Sequence, residues 1–196
     1  MKAVTHPAPT STREKLLAAA ADVIQADGWT AVTMGKLAAR VGVSRQTVYN
    51  ELGSKAELAK ALLLRETDRF AERVTGDVAA HPDRPVDGIT AAFRHTLEAA
   101  RANPLLQIAL GGPQGGRDDF LPLLTSEPEA VIERAVDTVA AVFEQAYPEV
   151  RLTASEWAVA VEAWMRLLLS HLVQPGGSAE RATGQMRWVI GRMLGR

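Results

Sequence analysis

The chain has 196 residues, 47% of them hydrophobic, with a net charge of −1 and no cysteine. That length and apolar content allow one or two small domains with a real core. The near-zero whole-chain charge by itself predicts no nucleic-acid or membrane partner, and the absence of thiols excludes disulfides and thiolate metal sites. The distribution of charge is more informative: residues 1–75 hold 11 Lys/Arg and 8 Asp/Glu, whereas residues 76–196 hold 11 and 15. A mildly basic N-terminal part thus precedes an acidic remainder, a split that suggests two tasks.

In chain order, residues 1–10 are rich in Pro and Thr and are expected to form a disordered arm. The opening stretch has no apolar run of signal-peptide type. No segment reaches the roughly 20 apolar residues of a membrane span, so a cytoplasmic protein with no membrane partner is expected. Ser11 and Glu14 stand at capping-box spacing. Leu16, Leu17, Ala20, Val23 and Ile24 then recur at helical spacing, predicting a helix over about 12–26 that Asp27-Gly28 stops. Thr33 is a candidate N-cap for a short helix over 34–40, and Gly42 can make a sharp turn. Ser44 caps a second short helix, 45–51, whose inward residues are Val48 and Leu52. Gly53 ends it. Ser54 and Glu57 form another capping box and open a long helix reaching about His81-Pro82.

The remainder predicts helices near 86–102, 104–111, 127–146, 153–173 and 178–194, punctuated by Pro82, Pro104, Pro128, Pro148 and Pro175-Gly176-Gly177. Thr153 with Glu156, and Ser126 with Glu129, repeat the capping-box spacing. No stretch alternates long enough to be a strand, so the expected fold class is all-α.

Two short helices joined by a glycine turn make a helix-turn-helix, and the second helix of such a unit enters the DNA major groove. The stretch SRQTVYNEL suits that position: it offers donors and acceptors of several shapes, and the major groove presents a different pattern for each base pair. Arg45 can donate to guanine, Gln46 can pair with adenine, and Thr47 can offer a hydroxyl or a methyl.

Residues 13–60 resemble the DNA-binding domain of the TetR family of bacterial transcription regulators. The landmarks are the GW after the first helix and VTMGKLAARVGVSRQTVYNELGSKAEL. Within the latter, Thr33 precedes the second helix, Gly42-Val43-Ser44 form the turn, Tyr49 lies on the recognition helix, and Ser54-Lys55 open the fourth helix. The resemblance implies a three-helix DNA-binding domain over 11–54 joined by a long helix to an effector and dimerisation domain over 55–196. It implies that Thr33, Tyr49 and Lys55 hold phosphates, that Arg45, Gln46 and Thr47 reach base edges, and that Ser44 and Asn50 do either. Three places depart from the family pattern: Asn50 and Glu51 stand where an aromatic or His is usual, and Leu52 where Phe is usual. Leu52 is a simple core replacement, and Glu51 is expected to turn away from DNA or pair with a cation.

For the C-terminal part the resemblance implies operator DNA as one partner, a second copy of the chain as another, and a small effector as ligand. EWAVAVEAWMRLLLSHLV is apolar around much of its circumference, which fits a helix covered both by its own domain and by a partner copy. The homodimer is expected through 153–173 and 178–194, with Val189 and Ile190 at exposed apolar positions. Candidate pocket residues are Phe93, Leu97, Leu110, Phe120, Phe143, Trp164 and His171, which suit an apolar or amphipathic effector. GGPQGGRDD (residues 111–119) lacks the Gly-Lys-Ser/Thr ending of a phosphate loop. His95 and Glu98 form only one reversed copy of a di-iron helix motif. Neither a metal nor a cofactor is expected. The leading function is therefore a homodimeric repressor released by an effector. The alternatives are an activator or effector-independent regulator, and, from another class, a helical enzyme, for which no nucleophile–base motif is present.

Overall fold

The computed structural model describes residues 11–109, 128–174 and 176–195. The protein is all-α. In chain order the helices are α1 (Thr12–Asp27), a 3-10 turn (Trp29–Ala31), α2 (Met34–Val41), α3 (Arg45–Leu52), α4 (Lys55–Ala79), α5 (Pro85–Ala102) and α6 (Pro104–Ala109). They are followed by α7 (Pro128–Ala146), α8 (Ala154–Val173) and α9 (Ala179–Met193). The arm over 1–10, the stretch 111–119 and Ser126 with its capping-box spacing lie outside the described residues.

The helix starts follow local chemistry. Ser11, Ser54 and Thr153 each close a full capping box with Glu14, Glu57 and Glu156. Thr33, Ser44 and Ser178 cap with the side chain alone. Each cap satisfies a backbone N–H that the helix itself cannot. The turn between α2 and α3 depends on Gly42, at φ +77. That is the left-handed region, and only glycine enters it without steric cost.

Two cores form. The first gathers Leu16, Ala20, Val23 and Ile24 of α1, Trp29, Leu37 of α2, and Val48 and Leu52 of α3. It does not stop at residue 54: Leu58, Ala59 and Leu62 of α4 and Leu105, Ile108 and Ala109 of α6 belong to it. The second core takes Phe70, Val74 and Val78 from the far half of α4 and packs them with α5, α7, α8 and α9. Helix α4 is thus shared by both cores.

Helix α8 has two apolar sides. Trp157, Val161, Trp164 and Leu168 are buried, while Val159 and Leu167 are exposed. On α9 the phase differs from the sequence expectation. Ile190 is 5% exposed and belongs to the core, and Trp188, at 66% exposed, carries the outward face instead. The reason is that Ile190 shares its arc with Ala182 and Met186, which face α5 and α8. Asp87 near the start of α5 clamps α9 through Arg187 at 2.6 Å and also meets Arg84 at 3.2 Å. The Arg187 hydrogen bond holds the Asp87 carboxyl below its ordinary pKa.

Tyr147, fully buried at the end of α7, lies against the backbone of α5 at Gly88. Burial pushes its hydroxyl up to about 12. A Cβ at position 88 would overlap that hydroxyl. Gly88→Ala is therefore expected to destabilise the fold by ~1–3 kcal/mol through overpacking. Chemical denaturation, with Gly76→Ala as a control at an open helical glycine, checks this.

Candidate nucleic-acid interface and effector core

Helix α3 is held from behind by Val48 and Leu52, both buried. That orientation leaves Arg45, Gln46, Tyr49 and Asn50 exposed and Thr47 half-buried. Tyr49 is 53% exposed, which removes it from the core and makes its ring and hydroxyl available outside. On the outward face Gln46 Nε2 donates to Asn50 Oδ1 at 2.9 Å, so two amides one turn apart are held together. Ser44 Oγ accepts from the Thr47 backbone N–H at 3.0 Å and lies 2.9 Å from the Thr47 hydroxyl. Ser44 is thus a cap that also fixes the neighbouring side chain.

The flanking positions are equally well anchored. Thr33 Oγ1 accepts from the Lys36 backbone N–H at 3.1 Å, and its own O–H remains to donate. Lys55 opens α4 with its ammonium 4.8 Å over the Trp29 ring, a cation–π contact that fixes a positive charge at a helix N-terminus. Glu57 Oε2 accepts from the Ser54 backbone N–H at 2.6 Å. That bond holds the Glu57 carboxyl below its usual pKa. Thr33, Ser44, Arg45, Gln46, Thr47, Tyr49, Asn50 and Lys55 therefore all come from one compact unit built on the first core.

Two residues of this unit were missed by sequence reasoning. Arg13 of α1 donates to the backbone carbonyl of Glu51, tying the start of α1 to the end of α3. It is the carbonyl and not the half-buried Glu51 carboxylate that receives this bond. Gly35 of α2 lies under the Arg45 guanidinium, whose nearest nitrogen would stand 2.9 Å from a Cβ there. In this state Arg45 folds back along α2. Capping and apolar spacing carry no signal for either contact, because both join helices distant in sequence.

The expected effector residues divide. Phe93, Leu97, Phe143 and Trp164 come together in the second core. The Trp164 indole meets Phe93 and Phe143 edge-on at 5.8 and 6.3 Å and stacks with Phe70 at 6.0 Å. His171 borders the group, 6.1 Å from Phe93, and its carbonyl accepts from Arg101 at 3.4 Å. Leu110 and Phe120 lie outside the described residues. The crevice touching Phe143 and Trp164 has a volume of about 30 Å³ and a wholly apolar lining, room for about one water. Some polar atoms are nonetheless buried without a hydrogen-bond partner: Trp164 Nε1 in this cluster, and the hydroxyls of Thr90 and Thr96 on α5. Buried polar groups are rarely left so. Among the described residues no group of His, Asp and Glu is placed to hold a metal ion, and no helix is long and apolar enough to cross a membrane.

Comparison with known proteins follows the same division. A family model for bacterial regulatory proteins of the tetR family matches residues 16–62, and one for the C-terminal domain of the bacterial tetracyclin repressor matches residues 85–192. The chain is 31% identical over 163 residues to the HTH-type transcriptional regulator AlkX of Mycobacterium tuberculosis, spanning 83% of this chain and 75% of that protein. The fold resembles that of the TetR family repressor AlkX from Dietzia sp., implicated in biodegradation of n-alkanes, at a TM-score of 0.78 and 24% identity over 96% of this chain and 97% of the other. It also resembles AibR in complex with isovaleryl coenzyme A and operator DNA, at a TM-score of 0.52 and 20% identity over 91% and 97%.

Proposed function

The chain belongs to the TetR family of DNA-binding transcription regulators, and on that premise we propose that it is a homodimeric repressor released from its operator by an apolar or amphipathic small molecule. The observation that carries the DNA reading is the outward face of α3, where Arg45, Gln46, Tyr49 and Asn50 are exposed above a helix pinned by Val48 and Leu52. In this reading Arg45 leaves its resting place on α2 and, with Gln46 and Thr47, reads base edges. Thr33, Tyr49 and Lys55 hold phosphates, and Ser44 and Asn50 serve either role. The family is one of regulators rather than enzymes.

The homodimer is supported by the outer faces of α8 and α9. Val159 and Leu167 on α8, and Trp188 and Met193 on α9, are exposed. Helix α9 packs mainly on α5 and little on α8. A groove lined by Leu167, His171, Gly184, Trp188 and Val189 is left between α8 and α9. Gly184 has open space where a Cβ would stand, so a partner helix can approach closely. The effector reading is supported by the unpaired Trp164 Nε1 within an aromatic cluster, an arrangement that gives an alkyl-bearing ligand apolar contact and a polar handle. The n-alkane connection of the Dietzia relative and the acyl-thioester ligand of AibR point to the same chemistry.

The DNA reading is tested on duplexes selected from a random pool. Arg45→Ala is expected to cost about 1–3 kcal/mol on the selected site and relax preference at one base. Lys55→Ala should weaken binding to selected and random duplexes alike and reduce the salt slope by about one. If both variants match wild type on both duplexes, the residue assignment fails. The dimer is tested by sedimentation: wild type should run as a dimer at micromolar concentration, and Trp188→Glu as a folded monomer.

A further inference from the structure

Away from the reading face and the aromatic core, a cleft opens where the two cores meet. Its volume is about 230 Å³, with Arg65, Glu66 and Arg69 from α4 on one side, Ile24 and Gln25 from α1 on another, and Asn103 at the junction of α5 and α6. Arg65, Arg69 and Arg73 recur every fourth residue, so they share one face of α4, and like charges at this spacing repel. An Nη of Arg65 and the Nε of Arg73 are buried with no acceptor. Burial first, and the neighbouring Arg69 charge second, push the Arg65 guanidinium below its ordinary pKa.

The carboxylates nearby are already engaged. Glu66 accepts from Arg69 at 2.7 Å and from Asn103 Nδ2 at 2.7 Å. Asp77 accepts from His95 at 2.7 Å, and Asp22 meets Arg40 at 3.4 Å. The cleft therefore holds more cationic donors than acceptors. An apolar stripe would have packed α4 against α1 and α5 at less desolvation cost than half-buried guanidiniums, so the unpaired Arg65 nitrogen in the cleft calls for an acceptor.

We propose that this cleft binds a small carboxylate or phosphate through Arg65 and Arg69, as a second ligand site apart from the aromatic core. Guanidinium groups present paired N–H donors that match the oxygens of both anions. The volume falls below the 300–1,000 Å³ typical of pockets for drug-sized ligands, which selects a short acid or a compact phosphate ester over a long acyl chain. One wall is α1, part of the DNA-reading unit, and the opposite wall is α5 and α6. An occupant therefore bridges the reading unit to the C-terminal domain.

The test is calorimetric titration of the full chain with inorganic phosphate and with succinate, against sodium chloride at matched ionic strength. One saturable site per chain is expected for at least one probe, and which probe binds tells phosphate from carboxylate. Arg65→Gln and Arg69→Gln should each weaken it about tenfold or more. Ala99→Leu, which narrows the cleft without touching a charge, should do the same. Arg151→Gln, which removes an exposed cation remote from the cleft, should leave it unchanged. Heats no larger than those of sodium chloride for both probes would overturn the proposal, as would binding that survives in both Arg65→Gln and Ala99→Leu.

Discussion

A single 25-residue helix, α4, is a structural member of both cores. Its first turns lie under the reading unit through Leu58, Ala59 and Leu62, and its last turns lie in the aromatic core through Phe70, Val74 and Val78. Protein interiors are close-packed, so displacement at one end of such a rod is not absorbed by soft neighbours. The rest of the molecule is arranged around that constraint. Helix α6 reinforces it: it follows α5 of the second core, yet it packs with Leu105, Ile108 and Ala109 into the first. The reading unit is consequently gripped from two directions, by α4 and by α6.

If the proposed effector binds in the aromatic core, this arrangement gives it a physical route to the DNA-binding unit. A ligand shifts a dimer's geometry only through a difference in its affinity for two geometries. Allosteric coupling is typically about 1–3 kcal/mol, worth roughly 5- to 150-fold in affinity. The aromatic core is well placed to exert such a bias. Trp164 touches Phe70 of α4 and Phe93 of α5, so any repacking of the indole, whose Nε1 lacks an acceptor, moves both helices. The crevice beside it is small, so under the proposed function an effector that enters here opens the core, and opening the core displaces α4. Binding and conformational change are then one event.

Much of this was legible in the sequence because it was written locally. Ser11, Thr33, Ser44, Ser54 and Thr153 announce helix starts through side chain-to-backbone bonds that span three residues. Gly42 announces the turn by its conformational freedom. Leu52, a departure from the family pattern, is buried in the first core, as a core replacement should be. What the sequence could not carry was long-range or ambiguous in phase. The attachment of α6 to α1, the bond from Arg13 to the Glu51 carbonyl and the arginine-lined cleft all join segments far apart in the chain. On α9, apolar residues occupy two arcs, and periodicity alone does not say which arc faces the molecule's own core. Periodicity therefore leaves Ile190 free to face outward, whereas the structure turns Trp188 outward and Ile190 into the core. Leu110 and Phe120, drawn into the pocket by their apolar character, fall outside the described residues.

In the proposed homodimer, α4 holds two reading units at a spacing that operator DNA selects. The chain has no cysteine, so a single cysteine introduced at Ala26, exposed at the end of α1, can carry a spin label at one known place per chain. Pulsed dipolar spectroscopy then measures the distance between the two labels of a dimer. The account predicts a defined intermolecular distance that narrows to one population on adding selected DNA, as reading helices settle near one turn of duplex apart, ~34–36 Å. The absence of any intermolecular distance, or an identical distribution with and without DNA, would contradict it.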